Sequence, residues 1–146
     1  MRKLLFGVLA AIFVVVTACG QGQINTPQNA MIEFNKFQVK EKFQQDDSLF
    51  YPGIEDPSKR PIFTEIINLA ALDFKRLASK GSATDKEYQT AIELGLKRFD
   101  PYVLELDTED RARVASYFEE MMDIVGLESS NGHLNNFVYG FDPTGN

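Results

Sequence analysis

The chain has 146 residues, 44% hydrophobic and 25% charged, which is material for one modest domain and excludes a multidomain enzyme. A single cysteine excludes a disulfide framework and a cysteine-based zinc site, and a single histidine leaves little for metal or triad chemistry. Fifteen Lys and Arg against 21 Asp and Glu give a formal charge of −6, which repels phosphate backbones and excludes general nucleic-acid binding.

The chain opens on an address. Arg2 and Lys3 form a basic start, Leu4 to Val16 is an uncharged apolar run, and Thr17, Ala18 and Cys19 follow. At about 1.5 Å of rise per residue this run falls short of the roughly 30 Å hydrocarbon core that a spanning helix crosses. Val16-Thr17-Ala18-Cys19 resembles the lipobox of bacterial lipoprotein signals: an aliphatic residue, small residues that fit a peptidase site, then the cysteine. The resemblance implies that the thiol of Cys19 accepts a diacylglyceryl group and becomes the lipidated first residue. Several acyl chains on one residue make a stable anchor, whereas one would dissociate. The competing reading is an ordinary secretory signal cut after Ala18, leaving Cys19 a free thiol. If the bacterium has an outer membrane, Gly20 in place of Asp resembles the sorting signal for that membrane. The expected organisation is a signal peptide over 1–18, a lipidated flexible tether over 19–26 and one helical domain over 27–146. Without residues 1–18, thirteen basic residues face 21 acidic ones, so the mature side-chain balance is −8 and repels anionic headgroups.

Thr26-Pro27 predicts a helix start, and Met31, Phe34, Phe37 and Phe43 extend the apolar pattern to about residue 45. From Asp46 to Arg60 the turn formers Pro52-Gly53 and Asp56-Pro57 predict a long loop, with Leu49-Phe50-Tyr51 expected to pin it to the body. Pro61 opens a second helix, striped by Phe63, Ile66, Ile67, Ala70, Phe74 and Leu77 and stopped by Gly81. Thr84 and Glu87 form a capping box for a third, which ends at Asp100-Pro101 and carries Gly95 on its apolar stripe, where a second helix could approach closely. Tyr102 to Leu106 reads as an extended connector. Asp107 or Thr108 caps a fourth helix running to Gly126 through Val114, Phe118, Met121 and Met122. A short fifth runs from Ser130 or Asn131 to Tyr139 and buries Leu134, Phe137 and Val138, and Phe141 beyond it has a ring able to dock. The fold class is all-α, a compact bundle of four longer helices plus a short C-terminal helix.

Candidate chemistry is sparse. On the fourth helix Glu119 and Asp123 lie at i,i+4 and Glu120 and Asp123 at i,i+3, spacings that let carboxylates share a divalent ion, with His133 able to complete such a site. The same acids opposite a Val114, Phe118, Met122, Val125 stripe also describe a solvated face, and that reading is preferred. Ser129, Ser130 and His133 form no Gly-x-Ser-x-Gly elbow, and turn formation accounts for Ser129-Ser130-Asn131-Gly132.

Asp107-Thr108-Glu109-Asp110-Arg111, Tyr117 to Ile124, Glu128-Ser129-Ser130-Asn131-Gly132, Tyr139-Gly140-Phe141-Asp142-Pro143 and Phe50-Tyr51-Pro52-Gly53 together resemble a family of short bacterial proteins known as a domain of unknown function. The resemblance implies no activity. The expected role is a lipid-anchored acidic envelope module that binds a protein, for instance as an inhibitor or immunity factor for a basic toxin or hydrolase. Its partners are then the membrane, through lipid on Cys19, and a basic protein. No cofactor and no catalytic residue is expected. The alternatives are a metal-binding or hydrolytic enzyme using Glu119, Glu120, Asp123 and His133, and a structural envelope lipoprotein.

Overall fold

Local hydrogen bonds set the starts of the third and fourth long helices of this chain, and packing sets the end of the first. A computed structural model describes residues 22–141, so the signal segment and Cys19 lie outside the described residues. The helices are α1 (Ala30–Val39), α2 (Arg60–Ser79), α3 (Asp85–Lys97), α4 (Thr108–Val125) and α5 (His133–Tyr139). The all-α expectation holds: among the described residues the only strand-like pairings are the isolated bridges Gln23–Thr84 and Asp46–Tyr51. No described helix is long and apolar enough to cross a membrane.

The capping box of α3 forms as its sequence demands, with the Thr84 hydroxyl accepting from the Glu87 amide at 3.3 Å and the Glu87 carboxylate accepting from the Thr84 amide at 2.9 Å. The Asp107 carboxylate caps α4 by accepting from the Asp110 amide at 2.7 Å, and Gly126 ends that helix at φ 76°, where a side chain would be strained.

Three expectations change. The first helix is ten residues long rather than the span 27–45, because Lys40 is extended and Phe43 turns the chain at φ 57°. That turn drives the Phe43 ring into the core against Phe63 and Tyr117, with centroids 5.8 and 5.2 Å away, and core burial of a whole aromatic outweighs another turn of helix. Residues 102–106 are not extended: a 3-10 turn at Asp100–Tyr102 continues into further turns, and Arg111 holds the Val103 and Leu106 carbonyls from α4. Residues 22–26, expected within a free tether, are docked. Ile24 N–H donates to the Ala83 carbonyl at 2.9 Å, Asp85 N–H to Gly22 and the Gln23 amide to Gly81.

Gly95 marks a close helix crossing. A Cβ there would sit 2.7 Å from Cζ of Phe118 and 3.2 Å from the Ala70 Cβ, so α2, α3 and α4 converge on this point only because the side chain is missing. Around it the core is aromatic: Phe74 meets Tyr88 and Phe118, while Phe63 meets Phe99 and Tyr102. Phe99 also meets Phe137 of α5, which is only partly covered; Leu134 is buried, and Phe141 stays exposed against Tyr139.

From Pro27 to Tyr51 the chain runs antiparallel along α4. Pro27 lies beside Gly126, Lys40 pairs with Glu120, the Phe43 amide donates to Tyr117, and Tyr51 reaches Asp110. The bundle therefore has two distinct ends. One holds residues 22–27, the α2–α3 turn and the end of α4. The other holds the loop from Asp46 to Lys59, the turns from Asp100 to Leu106 and the start of α4.

Candidate functional site

The residues with the most unusual surroundings lie where the 40–56 loop meets α4. Asp110 and Arg113 are buried on α4, as are Tyr51 and Lys42 on the loop, and buried charges persist only where they are paired or hydrogen-bonded. The Tyr51 hydroxyl donates to Asp110 Oδ1 at 2.6 Å. The Arg113 guanidinium lies over the rings of Tyr51 and Tyr117, donates through Nε to the Tyr117 hydroxyl at 3.1 Å and pairs through Nη2 with Asp46 at 3.2 Å. The Tyr117 hydroxyl also accepts the Phe43 amide at 2.7 Å, so it joins the loop backbone to the cation on α4. Lys42 lies over the Phe37 ring and donates to the carbonyls of Phe37 and Lys40, closing the end of α1.

Burial governs the charge states here. It raises the Asp110 carboxyl above its ordinary value, against the Tyr51 hydrogen bond, and with the Asp110 bond it pushes the Tyr51 phenol up. It lowers the Lys42 ammonium to about 8, against the opposing attraction of Glu120. Asp46, at the rim, is lowered first by the Ser48 hydroxyl and then by Arg113.

This network presents a turn. Asp46 and Tyr51 pair through two backbone hydrogen bonds, and between them Leu49 and Phe50 project outward. Of the Leu49-Phe50-Tyr51 segment, only Tyr51 pins the loop; Phe50 is 91% exposed and sits at φ 52°. A small cavity of about 180 Å³ lies beside it, between the turn and Glu109, Arg113 and Ser116 of α4.

The residues singled out in the sequence are dispersed. Glu120 turns aside to Lys40 at 2.8 Å, while Glu119 and Asp123 line a polar cavity of about 490 Å³ with Glu128, Ser129 and Ser130. His133 begins α5, close enough to Glu93 to favour its charge, and does not line that cavity. Among the described residues no three His, Cys, Asp or Glu side chains gather as a metal would require. Ser129 and Asn131 make the local turn: the Ser129 hydroxyl accepts the Asn131 amide, and the Ser129 carbonyl accepts from Gln89. What composition and spacing did not reveal is the Tyr51, Asp110, Arg113, Tyr117 network. Its one local signal is Arg113 and Tyr117 a helical turn apart, beside the apolar stripe of α4 rather than opposite it.

A family model described as a domain of unknown function, DUF4844, matches residues 25–142. Among solved structures the chain is similar to a DUF3571 family protein from Acinetobacter baumannii AYE, at 36% identity over 76% of this chain and 89% of that one, with a TM-score of 0.68. No curated protein matches.

Proposed function

The chain belongs to the DUF4844 domain family, and on that premise we propose that it is a lipid-anchored protein of the bacterial envelope that works by binding another protein. The observation that carries this reading is the use made of the buried polar groups. Asp110, Arg113, Tyr51 and Tyr117 are engaged with one another and with the loop, and their combined effect is to fix a turn whose aromatic tip faces solvent. Rigid, exposed aromatic residues are the usual anchors of protein recognition, since they bring large contact area at little entropic cost. The acidic surface supports a basic partner, such as a toxin or hydrolase to be inhibited, because opposite charge speeds encounter. Anchoring rests on the Val16-Thr17-Ala18-Cys19 pattern.

The test is affinity purification of the full-length tagged protein from detergent-solubilised envelopes of its own bacterium, at low and at high salt. A single protein co-eluting in comparable amount at low salt and released at high salt is expected. Recovery of the chain alone at both salt levels overturns the reading.

A further inference from the structure

We propose that the binding surface is the end of the bundle remote from Gly22, and that it receives a basic protein with an apolar pocket for Phe50. This deepens the protein-binding reading and rests on it. Two turns flank the start of α4, and consecutive helix residues anchor them: Asp110 holds Tyr51, and Arg111 holds the Val103 and Leu106 carbonyls. Each turn exposes a large apolar side chain, Phe50 at 91% and Leu104 at 97%.

Phe50 is the more informative. Its left-handed backbone is strained for a residue with a Cβ, and its ring, 91% exposed, offsets little of that strain by packing. Glycine or asparagine would make the same turn at less cost. The fold does not need phenylalanine there; a partner that buries the ring would.

Charge identifies the partner. Segments 46–60 and 100–113 contain nine of the chain's 21 acidic residues and four of its 15 basic ones. An apolar pair inside such a field repels acidic surfaces and lipid headgroups and attracts a basic protein. The rival surface is made of two cavities that share Arg98, one lined by Leu69 of α2 and the other, between α2 and α3, by Leu94; it has mixed charge, with Arg98 paired to Asp73. It has no such preference.

The experiment places the photo-crosslinking residue p-benzoylphenylalanine at position 50, 104, 69 or 94 of the full-length chain in its own bacterium, followed by irradiation and mass spectrometry. Positions 50 and 104 are expected to capture the same basic protein. Adduct yield in washed envelopes should fall about tenfold at high salt, and by a similar factor in the double variant Asp47→Asn, Glu109→Gln. Adducts confined to positions 69 and 94 overturn this surface while leaving the protein-binding reading intact. Capture at position 50 of an acidic protein, of lipid or of a second copy of the chain overturns the partner proposed. Absence of protein adducts at all four positions overturns both.

Discussion

Tyr51 and Lys42 show how far single residues carry this structure. The Tyr51 hydroxyl is the donor that Asp110 meets in the interior, so Tyr51→Phe leaves a buried carboxylate short of a partner while keeping the ring over Arg113. The expected loss is about 1.5–3 kcal/mol of unfolding free energy by urea titration, the range for hydrogen bonds to charged groups. Lys42 predicts a pH dependence. Its folded-state value of about 8 lies below the ordinary 10.5, so between these values the unfolded chain holds more protons than the folded one, and stability rises with pH. Wild type measured against Lys42→Met should therefore gain as pH increases from about 8 towards 10.5; a flat difference across that window would remove the desolvation account of Lys42. Lys42 did not stand out in the sequence, and Tyr51 did so only within the Leu49-Phe50-Tyr51 segment expected to pin the loop. Asp110 read as one of several acids near a helix start, and what sets it apart from Glu109 is a tyrosine 59 residues away.

Among the elements, α3 could be read almost entirely from its own residues, because a capping box closes within four positions. Thr84→Ala should cost about 1 kcal/mol, seen as a lower thermal midpoint, since it removes the hydroxyl from the capping box and leaves the Glu87 amide only the Thr84 carbonyl. Gly95 was visible as an oddity on the α3 stripe, but only the crossing shows what it permits. Gly95→Ala gains up to about 1 kcal/mol of helix propensity and forces a methyl against the buried Phe118 ring, a strain of about 1–3 kcal/mol. The net expectation is destabilisation in the same thermal measurement. The end of α1 could not be read, because Phe43 continues the apolar pattern and the reason it leaves the helix lies in Phe63 and Tyr117, distant in sequence. The turns at 102–106 escaped for a similar reason: Arg111, on the following helix, holds their carbonyls.

For the molecule as a whole, the acidic charge and the proposed lipid anchor make a coherent pair. Cys19→Ser should abolish labelling by a fatty-acid analogue and leave the uncleaved precursor, because a hydroxyl is a far weaker nucleophile than a thiol. Wild-type protein that stays unlabelled with a titratable thiol would leave an ordinary secreted helical domain. Composition and periodicity sufficed for the fold class, since striped helices of this length have few ways to pack. They could not reveal a surface assembled from two separate turns. The antiparallel run of residues 27–51 along α4 also bears on the order of folding. The α2–α3 pair is joined by a short turn and closes a small loop, whereas Phe43 and Tyr117 must find each other across 74 residues. Loop-closure entropy favours the local hairpin as the early nucleus, and the 40–51 loop then docks late, onto a bundle already formed. Tyr51→Phe and Asp46→Asn should therefore speed unfolding in stopped-flow experiments while leaving the refolding rate within about twofold of wild type. The presenting loop is in this sense the last part of the molecule to arrive and the first to leave.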